Sequence, residues 1–104
     1  MIKVTAMYPH TPDARFDLSY YVDKHMPMVK DRFGAACTSY TIDKGVAGMA
    51  PGSAPTYGIM CHFFFDSLDA FQSAFAPHAQ QILGDIPNYT DLTPVIQISE
   101  VLVG

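Results

Sequence analysis

The 104-residue chain has no tryptophan, only two cysteines and only six lysines plus arginines. Each shortage removes a class of function. The basic residues form no run and the formal net charge is -4, so little is available to neutralise a phosphate backbone or an anionic lipid surface. No nucleic acid and no membrane partner is expected. No apolar run approaches the ~20 residues that span a bilayer, and Met1-Ile-Lys-Val4 leads into a strand pattern rather than a secretion signal, which predicts a cytoplasmic protein. Cys37 and Cys61 form no Cys-x-x-Cys pair and read as small buried hydrophobes.

Several motifs are missing as well. There is no glycine-rich dinucleotide fingerprint, no P-loop, no His-Glu-x-x-His and no Gly-x-Ser-x-Gly, so nucleotide sites, zinc hydrolysis and serine hydrolysis lack their usual sequence support. His10, His25, His62 and His78 have no metal-ligand spacing, and no cofactor motif is evident. A haem or flavin held by residues that meet only in three dimensions stays open.

What the chain does have is apolar surface: 49% hydrophobic residues, 12% aromatics and six methionines. The length fits one domain, residues 1–104. A domain this small cannot hide that much apolar surface alone, and a second identical chain would cover the excess.

The organising stretch is Phe16-Asp-Leu-Ser-Tyr-Tyr-Val-Asp-Lys-His-Met-Pro-Met-Val29. Leu18, Tyr21, Val22, His25 and Val29 recur at three- and four-residue intervals, which predicts a helix with one dry face. Pro27 removes a backbone donor inside that pattern, so a kink or an end is expected near Met26. The helix should close near Phe33, before Gly34.

Around it, Ile2, Val4, Ala6 and Tyr8 alternate as a first strand, which Tyr8-Pro-His-Thr-Pro12 stops, leaving His10 at the rim. Cys37 to Ile42 reads as a second strand. The glycine- and proline-rich run from Gly45 to Pro55 reads as a mobile connection or a covering flap. Tyr57 to Phe65 is the strongest strand, apolar at both parities, so both of its faces are expected to be covered. Asp66-Ser-Leu-Asp69 opens a second helix that Pro77 interrupts, a short helix from His78 to Leu83 follows, and Val95 to Leu102 is the last strand. The order βαββαβ predicts a ferredoxin-like α+β fold with a four-stranded antiparallel sheet. Two such sheets packed face to face would make a dimeric α+β barrel.

Tyr21 and His25, four residues apart, are the candidate catalytic pair: an imidazole titrating near neutrality as acid or base, and a phenol to orient it or hold a substrate oxygen. The same spacing suits a core histidine bonded to a backbone carbonyl. Tyr20, Met26, Pro27, His62, Phe64 and Tyr89 are the candidate pocket residues. His62, alternating with Met60 and Phe64, faces either the same cavity as His25 or the interior of a dimer. His78 follows Pro77 at a helix break, where it suits capping of loop backbone.

Five segments carry a resemblance: Phe16 to Val29, Phe64-Phe-Asp-Ser-Leu-Asp-Ala-Phe71, Ala76-Pro-His78, Asp85-Ile-Pro-Asn-Tyr-Thr90 and Gln97-Ile-Ser-Glu-Val101. Together, in this order, they resemble the EthD family, named for a protein of ethyl tert-butyl ether degradation. The resemblance implies a dimeric α+β barrel, in a superfamily that also holds cofactor-independent quinone-forming monooxygenases, isomerases, dehydratases and haem-dependent relatives. It further implies that His25 and Pro27, with Tyr21 beside them, belong to the pocket. The activity it favours is oxidoreductase or related chemistry on a small hydrophobic molecule, with non-catalytic ligand binding as the alternative.

Overall fold

A computed structural model describes all residues 1–104. Strand β1 (Ile2–Pro9) is followed by a helix in three pieces: α1 (Leu18–Tyr20), a π-helical turn (Tyr21–His25) and α2 (Met26–Phe33). Next come β2 (Cys37–Lys44), β3 (Tyr57–Phe65), α3 (Leu68–Phe75), a short α4 (Ala79–Gly84) and β4 (Val95–Glu100). The strands form one antiparallel sheet in the order β2-β3-β1-β4, the βαββαβ arrangement the sequence predicts. No helix is long and apolar enough to cross a membrane.

Local chemistry sets the helix ends. Asp17 accepts from the Tyr20 N–H and Ser67 from the Ala70 N–H, so α1 and α3 each open on a side-chain cap. Gly34 closes α2 at φ 62°, a left-handed position that glycine adopts without penalty. The break expected near Met26 is the π-turn: the Met26 N–H reaches back five residues to the Tyr21 carbonyl. The extra residue in that turn shifts the inward stripe. Tyr21, His25, Met26, Val29 and Phe33 are buried, whereas Leu18 and Val22, expected on the same face, are 38% and 41% exposed.

The core lies between the helices and one face of the sheet. Val4, Tyr8, Ile59, Cys61, Phe63 and Phe65 supply the sheet side. Phe33, Phe65 and Phe71 meet edge to face with ring centres 5.1 to 6.2 Å apart. Both cysteines are buried and free.

The second sheet face is mixed rather than uniformly apolar. Met7, Met60 and Phe64 flank a polar line in which Thr5 Oγ1 lies 2.9 Å from His62 Nδ1 and His62 Nε2 lies 3.0 Å from Asp43. No helix covers it. The last strand ends at Glu100, two residues before the expected Leu102, and Leu102 and Val103 beyond it are 87% and 94% exposed.

Phe65 is fully buried between Phe33 and Phe71, so Phe65→Ala removes packing that the neighbours cannot refill. It should cost about 3–5 kcal/mol, read as a lower urea midpoint, against a change within about 0.5 kcal/mol for Met49→Ala on the exposed connection.

Candidate functional site

A cavity of about 360 Å³ lies between the inner sheet face and the helices. Most of its wall is hydrocarbon and aromatic, with Val4, Phe63 and Ile96 from the sheet and Phe33, Phe71 and Ile82 from the helices. Tyr8, Tyr21 and His25 bring the oxygens and nitrogens, and no lysine or arginine reaches it. An apolar pocket with a few convergent polar groups is the usual form of a small-molecule site.

The π-turn sets the two central side chains. The rings of Tyr21 and His25 stack nearly parallel, 15° apart with centres at 5.7 Å. His25 Nδ1 is 2.8 Å from Asp85 Oδ2, and its Nε2 has no hydrogen-bond partner in the chain. Asp85 is held in turn: Tyr20 donates its hydroxyl to Oδ1 at 2.7 Å and the Asn88 amide donates to the same oxygen at 2.8 Å.

The loop carrying Asp85 is pinned to the chain just before α1. The Asp17 N–H donates to the Tyr89 carbonyl at 2.7 Å, Thr90 donates its hydroxyl to the Arg15 carbonyl at 2.7 Å, and Arg15 donates to the Pro87 carbonyl at 2.6 Å. These ties fix Asp85 against a helix that begins nearly seventy residues earlier in the chain.

Protonation follows from the surroundings. Burial lowers the His25 pKa below its ordinary 6.5, outweighing the opposing pull of Asp85. Burial also acts to raise Asp85, but the donors from Asn88, His25 and Tyr20 together hold it below 3.8. Near neutral pH the pair is therefore a carboxylate accepting from the Nδ1–H of an uncharged imidazole, which leaves the Nε2 lone pair free as a base on the cavity side. Burial pushes Tyr21 far above 10, so it stays a hydrogen-bond donor. Its hydroxyl is the one buried side-chain nitrogen or oxygen without a partner. Beside it, the Tyr8 and Tyr89 hydroxyls bond to each other at 2.5 Å.

Of the residues expected at the site, Tyr21, His25 and Met26 line the cavity. Tyr89 sits immediately behind, its ring centre 4.6 Å from that of His25. Tyr20 lies outside, on a polar surface groove shared with Asp85 and Asn88, and Pro27 acts through the backbone at the start of α2. His62 and Phe64 alternate out of the core and lie on the opposite sheet face. His10 lines a separate surface groove with Lys44 and Thr11.

Asp85 and Tyr8 are the site residues that sequence reasoning missed. A signal for Asp85 existed, since it is the one formally charged residue between Asp69 and Asp91. Tyr8 gave none beyond its inward parity in β1. No group of three histidine, cysteine, aspartate or glutamate side chains is assembled to hold a metal ion.

The EthD domain model matches residues 9–93. No curated protein matches the chain. Among solved structures, an EthD-like protein from Ralstonia eutropha JMP134 is 57% identical with a TM-score of 0.93, over 98% of this chain and 92% of that one. An EthD family protein from Bacillus halodurans C-125 is 18% identical with a TM-score of 0.74, over 98% and 99%. A dimeric ferredoxin-like protein of unknown function from Thermobifida fusca YX is 16% identical with a TM-score of 0.63, over 96% and 90%, a likeness of fold alone. With the domain match running across most of the sequence and a 57% identical relative over nearly all of it, this chain belongs to the EthD family.

Proposed function

We propose that the protein binds a small apolar or aromatic molecule in the cavity and acts on it with His25 as acid or base, Asp85 as its positioning residue and Tyr21 as the polar partner of the substrate. The observation that carries this reading is the His25–Asp85 contact, which leaves Nε2 as a free base in an otherwise apolar cavity. Oxidoreductase or related degradative chemistry is the class the EthD resemblance favours. The working form is a cytoplasmic homodimer joined through the open sheet face; the Thermobifida protein of the same fold is dimeric. Sedimentation at micromolar concentration should give twice the 11.4 kDa chain mass, and a lone chain would overturn the dimer.

The reading calls on no resident cofactor. His25 Nε2 is also a nitrogen that haem iron could take, so the absorption and native mass spectra of the purified protein decide the matter before any substrate is chosen. A haem or flavin band overturns the cofactor-free reading.

The competing reading is a carrier or accessory protein, favoured by the nearly unbroken apolar wall. The two part on substitution. In an enzyme, His25→Gln should lower turnover by about 10²–10⁴-fold with the melting temperature little changed. In a carrier, ligand binding persists and no product ever forms.

Tyr21→Phe separates function from folding by its sign. The change removes a buried hydroxyl that finds no partner, so the ligand-free variant should be more stable by about 1–3 kcal/mol while polar ligands bind less well. A drop in melting temperature would show that the hydroxyl is structural.

The lowered His25 pKa gives a signed pH dependence. Below 6.5 the unfolded chain takes up the His25 proton before the folded one does, so stability falls as pH falls through that window. Asp85 adds a loss in the same direction only below 3.8. Urea midpoints measured from pH 7 to pH 5 should decline less steeply in His25→Gln than in the parent protein, and equal slopes would place the ring in water.

A further inference from the structure

We propose that the cavity selects neutral, flat, apolar molecules bearing an acidic hydroxyl, phenols or enols, with the hydroxyl hydrogen donated to His25 Nε2 and its oxygen accepting from the Tyr21 hydroxyl. This deepens the ligand-binding reading above and rests on it.

Hydrogen-bonding capacity is the first reason. The Tyr21 O–H is buried at 0% exposure and has no nitrogen or oxygen acceptor in the chain; the Cys61 thiol beside it is a weak acceptor. In the Tyr8–Tyr89 pair one hydroxyl donates to the other, and the remaining hydrogen also has no acceptor. The interior therefore has surplus O–H donors and one strong free acceptor, the His25 Nε2 lone pair, beside the weaker phenol oxygens.

A guest that leaves none of these groups unsatisfied must both donate and accept. A hydroxyl does both with one oxygen. An ether or ketone only accepts, and a hydrocarbon does neither. A carboxylate also only accepts, and it would bring a charge into a space that no lysine or arginine reaches. An ammonium only donates.

Acidity is the second reason. A buried neutral imidazole is a weakened base, so it accepts a hydrogen bond from any hydroxyl, and moving the proton onto it costs least for a hydroxyl as acidic as a phenol, about 10 for tyrosine, and far more for an aliphatic alcohol. If the proton moves, the O–H bond breaks and an N–H bond forms at Nε2, with the electron pair left on oxygen. The imidazolium keeps its Nδ1–H on the Asp85 carboxylate, and the Tyr21 O–H donates to the new oxyanion. The aromatic side chains Phe33, Phe63, Phe71 and Phe75 in the wall favour a ring as the carrier of that hydroxyl.

Calorimetric titration of the full chain with naphthol, naphthol methyl ether, naphthalene and naphthoate tests this. Naphthol should bind about tenfold or more tighter than its methyl ether, and naphthoate weakest of the four. In His25→Leu, whose melting curve verifies folding, the gap between naphthol and the ether should narrow to about threefold or less, whereas in Tyr21→Phe both should weaken together and the gap persist. Methyl ether or naphthalene binding as tightly as naphthol overturns the hydroxyl requirement and leaves an apolar pocket standing, and naphthoate binding as tightly overturns the exclusion of anions. No binding by any of the four overturns the pocket reading itself, and this proposal with it.

Discussion

One hydrogen bond, from His25 Nδ1–H to Asp85, gives the cavity its chemistry, because it decides which imidazole nitrogen is free. With Nδ1 engaged on the solvent side, the free lone pair lies on the cavity side. The contact joins residues 60 positions apart, so it exists only because the loop after α4 is tied to the segment before α1 at Arg15 and Asp17. Asp85 also faces a polar groove with Tyr20 and Asn88. That exposure and those two donors keep it ionised beside a ring whose burial keeps it neutral. A carboxylate beside an uncharged histidine is thus the product of two unequal environments a few ångströms apart.

The π-turn is the backbone counterpart of that bond. An uninterrupted α-helix would have kept Leu18 and Val22 in the dry stripe, whereas the wider turn releases them and seats His25 and Met26 in the core. Such a turn has poorer hydrogen-bond geometry, the cavity forfeits packing contacts, and Tyr21 buries a hydroxyl without an acceptor. All three work against stability in a chain of 104 residues, where total stability is a small difference between large terms. The aromatic cluster of Phe33, Phe65, Phe71 and Phe75 at the far end of α2 and along α3 offsets them. A fold optimised for stability alone would have put phenylalanine at position 21.

Much of this was legible in the residues, and what was not has a physical cause. Strand periodicity placed β1 and β3, the Ser67 cap opened α3 and Gly34 closed α2, because all of these are local. Proline marked the break at Met26 but not its form, since a kink, an end and a π-turn share the same sequence pattern. Leu18 and Val22 were misplaced for that reason. Parity put His62 and Phe64 together on one face of β3 but could not say which face lies over the core, and these two expected pocket residues point away from it. Asp85 carried only the mark of a solitary charge, and its partnership with His25 depends on loop ties that no spacing rule reaches.

The second sheet face completes the physical picture. Its apolar side chains, Met7, Met60 and Phe64, would by themselves invite any greasy partner, but the polar line between them is already paired internally: Thr5 with His62, and His62 with Asp43. A face whose central polar atoms bond to one another loses few hydrogen bonds to water when covered, so a second copy of the same face can bury it at low desolvation cost. The two faces of one sheet are therefore built on opposite principles. The outer pairs its central polar groups, Thr5, His62 and Asp43, among themselves, whereas the inner buries a phenol hydroxyl without a partner beside an imidazole whose Nδ1 alone is engaged.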